Sequence, residues 1–529
     1  FIAAEELNRN EGFWWSPDST KIAYVETDVS EVPIFRMPGL DERGTPVEQR
    51  YPRPGDPNAK WTLNVVGAGG GEPVTMEIED EYLVDVAWWP DGTVYAQTAG
   101  RLQKKTWLVH AASGSHEMLL AAHESWADPV TDLHRTRYGW FWSSRGQLRA
   151  GTPFFRNEGL ASTTTPREPE DLVLVVGVLA GQPDDVSEAL QQRPPVIFTR
   201  RTGDALGIDL CVLDLLRKEE KTLRSGGWRS YEANEHCSRL VETASRAGEP
   251  PRITVIDVDG RDLVEIARGE PVPGLPKPEF FTIPAEDGTP LRAMLLRPAG
   301  KGRHPAILHC YGGPGAQMVA DRWGGSNYLW HARMAQMGYA ILTVDNRGSG
   351  GYGDKVMKSV HGRLLDLEVR DQTAAARWLG QQDFVDPKRI GIWGWSYGGT
   401  LSLMCLLRAP DVFAAAVAVA SVTDWRDYDT AYTERYLGLP SENPQAYEKA
   451  SPLTYAATLK RPLLLAHGIS DDNVHFRHAT AFVEAAQKAG APVETDFYPR
   501  GAHGIGGPAE RRLLFQRMEA FWEAHLTTP

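Results

Sequence analysis

The stretch RIGIWGWSYGGTLSLMCLLR, residues 389 to 408, decides the fold. An apolar, strand-like run leads into Gly394-Trp395-Ser396-Tyr397-Gly398, and a helical pattern follows. With 51 glycines in 529 residues, a GxSxG match alone means little. Its setting between a buried strand and a helix is what carries weight. The flanking glycines permit the tight turn that exposes a nucleophilic hydroxyl on Ser396.

Working outward, apolar runs alternate with helical patterns from about residue 276 to the end. AILHCYGG, YAILTVDNRG, AAAVAVAS, PLLLAHG and VETDFYP read as strands. DLEVRDQTAAARWLGQQ, RHATAFVEAAQKAG and PAERRLLFQRMEAFWEAHL read as helices. Buried strands with helical crossovers predict a mostly parallel sheet covered on both faces. Asp287-Gly288, between two apolar runs, predicts a hairpin ahead of it.

A serine hydroxyl needs a histidine to take its proton and a carboxylate to orient that histidine. In α/β-hydrolases these follow in the order Ser, Asp, His on loops after later strands. HGISDDNVHF offers Asp471 and Asp472, 75 and 76 residues beyond Ser396, and RGAHG offers His503, a further 32 residues beyond Asp471. The expected triad is Ser396, Asp471 and His503, with Asp472 competing for the carboxylate role. His467, His475 and His478 flank the aspartates, but only His503 follows the last strand. The oxyanion of a tetrahedral intermediate needs donors. The Tyr397 backbone N–H and the Tyr311 phenol, in the loop HCYGGPG, are the candidates. In VTDWRDYDTAYTERYLGLP (422 to 440), Trp425, Tyr428 and Tyr432 share a face if the segment is helical. From spacing alone they fit core and pocket wall equally.

The first 270 residues differ. FWWSPDSTKIAYVE, VAWWPDGTVYAQT, LCVLDLLRKEEKTL and ITVIDVDGRDLVEI read as strand, turn, strand. WWSPD at 14 to 18 recurs as WWPD at 88 to 91. The 73 residues from Pro17 to Pro90 exceed a propeller blade of roughly 40 to 50 residues, so an insertion or a degenerate blade is expected between them. Residues 112 to 195, with an Arg-rich patch and a Thr/Pro stretch, fit this pattern badly and are expected to be irregular. Two adjacent acids, Glu5 and Glu6, precede the first Trp pair. Alone they read as a solvated helix start.

A net charge of -13 argues against a nucleic-acid backbone or an anionic membrane as the main partner, local basic patches aside. Four cysteines without a CxxC pair point to buried thiols rather than a disulfide framework or a metal knuckle. The longest apolar run, residues 172 to 181, is about half the roughly 20 residues a membrane span requires.

Taken together, GWSYGG, DWRDYDTAYTERYLGLP, HGISDDNVHF, YGGPGAQ and DNRGSGGYGDK resemble the dipeptidyl peptidase IV family, within the prolyl oligopeptidase group of serine peptidases. The resemblance covers most of the chain and is densest over 276 to 529. It implies a partial β-propeller over 1–275 and an α/β-hydrolase catalytic domain over 276–529. The implied activity is release of Xaa-Pro, less well Xaa-Ala, dipeptides from peptides with a free N-terminus. No metal or organic cofactor is implied.

By position, the resemblance makes Ser396 the nucleophile, Asp471 the orienting acid and His503 the base, with Tyr311 and Tyr397 at the oxyanion. Tyr397, Val422, Trp425, Tyr428, Tyr432 and Val474 would line a proline-sized pocket, and Asn473 would donate to the carbonyl of the first substrate residue. Glu5 and Glu6, on a short helical insertion, would bind the substrate's α-amine. Relatives carry further propeller, including a clamping arginine, before the Glu pair, and a chain starting at Phe1 is expected to be N-terminally incomplete. A signal peptide is therefore not legible and the location is not readable from this chain, the expectation being cytoplasmic or periplasmic, the former slightly favoured. Homodimerisation is expected by resemblance alone. Competing activities are prolyl tripeptidyl, acylaminoacyl and oligopeptidase cleavage, or a non-catalytic propeller that binds a partner.

Overall fold

The computed structural model describes residues 1–527 apart from 40–42, 77, 90, 130–133, 137–138, 145–146, 152–171, 179–194, 215–216, 218 and 235–236. The alternating runs of the first half form antiparallel meanders, in which successive side chains face opposite sides of a sheet. Two four-stranded sheets come first, Phe13–Trp15 through Val74–Thr75 and Tyr82–Trp88 through Ser115–Ala122. A three-stranded sheet spans His134–Thr136 to Gln147–Gly151. Two more four-stranded sheets run from Leu172–Val178 to Glu219–Arg224 and from Trp228–Ala233 to Asp262–Arg268. These are propeller blades.

The two Trp-Trp elements occupy one structural position, the end of the first strand in each of the first two blades. An inserted hairpin, Ile34–Met37 with Val47–Arg50, accounts for their wide spacing. Trp88 Nε1 donates to the Trp14 carbonyl at 3.0 Å and so joins the two blades. The expected irregularity of 112 to 195 is corrected in part. Ser115–Ala122 and Leu172–Val178 are strands, as are three shorter segments between them. Register shifts at His116/Met118, Leu119/Ala121, Leu172/Leu174 and Val175/Gly177 break the period-two pattern, which hid the strands from inspection of the sequence. The Thr/Pro stretch at 162 to 171 lies outside the described residues.

The second half builds an eight-stranded sheet. Its spatial order is Glu279–Pro284, Pro290–Leu296, Ala340–Val344, His304–Cys310, Val385–Trp395, Ala415–Val419, Leu463–Gly468 and Glu494–Tyr498. The first two strands run antiparallel to their neighbours and the other six run parallel. Alternate residues feed two cores: Ala306 and Leu308 enter one with Leu401 and Phe482, while Ile307 enters the other with Phe521 and Trp522. Helices therefore cover both faces, an α/β-hydrolase arrangement.

The two halves meet along 422 to 440. Thr430 N–H donates to the Pro52 carbonyl at 3.1 Å and its Oγ1 to Asn58 Oδ1 at 2.6 Å. The buried Glu434 accepts from Gly55 N–H at 2.7 Å and from Arg101 Nε at 2.6 Å. Trp126, from the second blade's trailing loop, is buried in the catalytic core, where Lys358 Nζ donates to its carbonyl at 2.9 Å. No helix among the described residues is long and apolar enough to cross a membrane.

Candidate active site

Ser396 ends the strand Val385–Trp395 and caps the helix Tyr397–Arg408. Its φ of 58° and ψ of -121° are strained for a non-glycine residue, a conformation that persists where surrounding structure enforces it. The flanking glycines explain the enforcement. A Cβ on Gly394 would lie 2.4 Å from the Cys310 carbonyl oxygen, and one on Gly398 would lie 2.2 Å from the same atom. Only glycine lets the two strands and the helix approach this closely.

The loop after the strand Leu463–Gly468 brings in Asp471, and the loop after Glu494–Tyr498 brings in His503. Asp471 Oδ2 lies 2.9 Å from His503 Nδ1, while Oδ1 accepts from the backbone N–H groups of Asn473 and Val474 at 3.1 and 2.9 Å. His467 Nε2 lies 3.4 Å from Oδ2. Burial would raise this carboxyl, but the hydrogen bonds from His467 and His503 outweigh it and hold Asp471 below the usual carboxylate range. Asp472 is exposed, and its carbonyl accepts from Gln49 Nε2 at 2.9 Å. Of the two competing acids, Asp471 therefore meets the histidine. Burial lowers the His503 imidazole, yet the bond to Asp471 and the charges of Asp471, Glu5 and Asp472 win and raise it above its ordinary value. With Nδ1 engaged, Nε2 is left to take a proton. Trp395 Nε1 donates to the His503 carbonyl at 2.9 Å, tying the histidine loop to the residue before the serine.

Tyr397 stands at the first position of its helix, where a backbone N–H has no intrahelical partner. Its phenol donates to Glu368 at 2.8 Å. The Tyr311 ring lies 6.2 Å from that of Tyr397, and a Cβ on Gly313 would press 2.8 Å from Tyr311 and 3.1 Å from Tyr397. Burial pushes the Tyr311 phenol up to about 12, so it stays a donor at neutral pH.

The expectation that Trp425, Tyr428 and Tyr432 share one helix face is corrected. Trp425 lies in a short 3-10 turn, Tyr428 is extended, and only Tyr432 is in the helix Thr430–Leu437. Asp429 is the reason, because it caps that helix by accepting from Tyr432 N–H at 2.9 Å and starts it late. The rings still converge. Trp425 stacks on Tyr432 at 5.9 Å, Tyr428 meets Tyr432 edge-on at 5.5 Å, and Tyr397 lies 5.7 Å from Trp425. Val422 and Val474 are buried in the same core.

Glu5 is the last residue of the helix Ile2–Glu5 and Glu6 caps its end. Asn473 Nδ2 donates to Glu5 Oε1, and Asn473 Oδ1 accepts from Tyr428 at 2.8 Å. Burial raises the Glu6 carboxyl well above its ordinary value; Asp429 and Glu5 raise it further and Arg435 opposes them. The buried Asp429 is itself pushed up to about 7, mainly by burial. A cation would relieve the charging of the buried Glu6 and Asp429.

Sequence reasoning missed several contributors. Glu368 carries no motif, and Asp429, though inside DWRDYDTAYTERYLGLP, carries no signal of its own. Tyr51, whose hydroxyl donates to the Asn473 carbonyl at 3.1 Å, and Gln49 arrive on the inserted hairpin and the chain just after it. Only His467 left a trace, as a histidine beside the aspartates.

Known proteins resemble the chain along most of its length. Residues 327–528 match the prolyl oligopeptidase family, and residues 1–150 match the dipeptidyl peptidase IV N-terminal region. Dipeptidyl peptidase 8 of Mus musculus is 28% identical, covering 96% of this chain and 67% of the relative. A protein of Emericella nidulans named "probable dipeptidyl-aminopeptidase B" is 28% identical over 98% of this chain and 62% of its own length. The chain thus spans about two thirds of the length of these relatives. The crystal structure of Porphyromonas gingivalis dipeptidyl peptidase 4 superposes with a TM-score of 0.89 at 27% identity, covering 99% of this chain and 76% of that one. The catalytic region over 327–528 thus matches the prolyl oligopeptidase family of serine peptidases, residues 1–150 match the dipeptidyl peptidase IV N-terminal region, and nearly the whole chain shares its fold with a dipeptidyl peptidase 4.

Proposed function

We propose that this protein releases N-terminal Xaa-Pro, and less well Xaa-Ala, dipeptides from peptides through an acyl-enzyme. The observation that carries this reading is the bridge at Asn473. Its backbone N–H binds the acid beside His503, and its side chain binds Glu5. The bridge ties an amine-sized acidic site to a proton-relay pair and fixes the separation between them.

In this reading the substrate's ammonium sits between Glu5 and Glu6, where its charge offsets the burial and the neighbouring acids that disfavour a charged Glu6. Asn473 donates to the first carbonyl. The proline ring enters the space walled by Tyr397, Val422, Trp425, Tyr428, Tyr432 and Val474. His503 takes the Ser396 proton as the hydroxyl attacks, and Asp471 stabilises the resulting imidazolium. The Tyr397 N–H and the Tyr311 phenol bind the oxyanion. His503 then protonates the leaving amine, and water hydrolyses the acyl-enzyme by the reverse sequence of proton transfers.

A comparison of chromogenic Gly-Pro, Ala-Ala-Pro and N-blocked Gly-Pro substrates tests the reading. Preference for free Gly-Pro supports it. Preference for the longer or the blocked substrate would replace it with a tripeptidyl or acylaminoacyl activity.

A further inference from the structure

Several arginines among the described residues end on a carboxylate. Arg347 reaches Asp371 and Asp287, Arg224 and Arg229 share Glu242, and Arg101 closes on Glu434. Two arginines at the seam between propeller and catalytic domain differ. Arg201 and Arg322 are half-buried, and both lie over the ring of Trp228, 5.6 and 5.3 Å from its centroid. Gln317 holds them there: Arg201 donates to its Oε1, and Arg322 donates to its carbonyl at 2.9 Å. The Gln317 amide is fixed in turn by the Ala205 and Val319 carbonyls, at 2.7 and 3.0 Å.

Among the described residues no carboxylate lies within ion-pair distance of either guanidinium. The seam's acids are engaged elsewhere. Asp345 accepts from Met318 N–H, Val319 N–H and Tyr352 Oη at 2.8, 3.0 and 2.6 Å. Asp204 accepts from Thr202 Oγ1 and Leu206 N–H, and Asp321 from Ala247 N–H. Arg292 adds a third positive charge, felt at Tyr352 together with that of Arg201.

Like charges held close in a partly dry seam repel, and burial sharpens the repulsion. A guanidinium that lies over an indole has five N–H donors with which to fork onto oxygen pairs. Among the described residues each uses one side-chain donor, on Gln317. We propose that Arg201 and Arg322, which lie over Trp228, form a binding site for an oxyanion group, a carboxylate or a phosphate. Arg322 stands on the chain segment that begins at Tyr311, so an anion there braces that segment against the propeller. The oxyanion comes either from an acidic residue of the peptide beyond the cleaved bond or from a free anion.

Inorganic phosphate titrated into the full chain, at ionic strength held constant with chloride, tests this without relying on the peptidase reading. A saturable rise in Tm is expected. In Arg201→Gln and Arg322→Gln the half-saturating concentration should rise about tenfold, the loss of one charged hydrogen-bonding partner. Gly-Pro peptides carrying Asp or Asn after the cleaved bond separate the sources. A kcat/KM preference for Asp that phosphate abolishes assigns the site to substrate, whereas equal rates with the Tm rise intact assign it to a free anion. If the variants do not fold, phenylglyoxal footprinting of the wild type replaces them, and phosphate should protect Arg201 and Arg322 but not the exposed Arg36. A wild-type Tm and footprint indifferent to phosphate would overturn the proposal, as would variants that respond like wild type.

Discussion

Asn473 donates its side-chain amide to Glu5 across the seam between propeller and catalytic domain, two residues after Asp471 meets His503. A propeller residue and a catalytic loop thus share one polar side chain. Asn473→Ala should raise KM for free-amine dipeptide substrates more than it lowers kcat, by about tenfold in kcat/KM, the scale of one hydrogen bond to a charged group. Steady-state kinetics on Gly-Pro substrates check this split.

The choice between the two aspartates has a direct kinetic readout. Asp471→Asn should lower kcat by about 10⁴-fold, because the histidine is then held in the wrong tautomer. Asp472→Asn should leave kcat within a few-fold, since this exposed side chain reaches His503 only through its charge.

His503 acts as a base only when neutral. Asp471, Glu5 and Asp472 together raise its pKa against the effect of burial, so the acid limb of kcat/KM should lie above the ordinary histidine value of 6.5. Removing the Asp472 charge should move that limb towards lower pH. A pH–rate profile of wild type and Asp472→Asn measures both.

Stability should have its own pH dependence. His309, on the strand His304–Cys310 that leads to Tyr311, is buried beside His331 and Trp393, and burial lowers it from 6.5 to about 4. Its folded pKa lies below the unfolded one, so the unfolded chain takes up the proton first as pH falls. Stability is therefore complete above pH 6.5 and lost towards pH 4, by about 3 kcal/mol for this one group. His331 acts in the same direction. Thermal unfolding across that interval should show the slope, and His309→Gln should flatten it.

The parts legible in the sequence were those whose signal is local. Ser396 between a strand and a helix needs only its neighbours, and Asp471 and His503 follow from the order of strands. The partners of these residues were hidden because they are set by tertiary approach. Glu368 reaches Tyr397 from the helix Leu367–Gly380, and Tyr51 reaches Asn473 from 422 residues away. The aromatic cluster stayed open between core and pocket for a local reason: a cap at Asp429 interrupts the helix its spacing suggests, and the rings converge from three backbone conformations in the folded chain. Bulges in Ser115–Ala122 and Leu172–Val178 erased the alternation that reveals a strand.

The central claim is that Glu5 and Glu6 set cleavage two residues from a free amine. The most direct test compares kcat/KM of Glu5→Ala and Glu6→Ala with wild type on a Gly-Pro chromogenic substrate and on a simple ester without an amine. The account predicts losses of about tenfold to a hundredfold on Gly-Pro, the scale of a charged hydrogen bond, with little change on the ester. Equal losses on both substrates would show that the pair serves only the fold and would contradict the account.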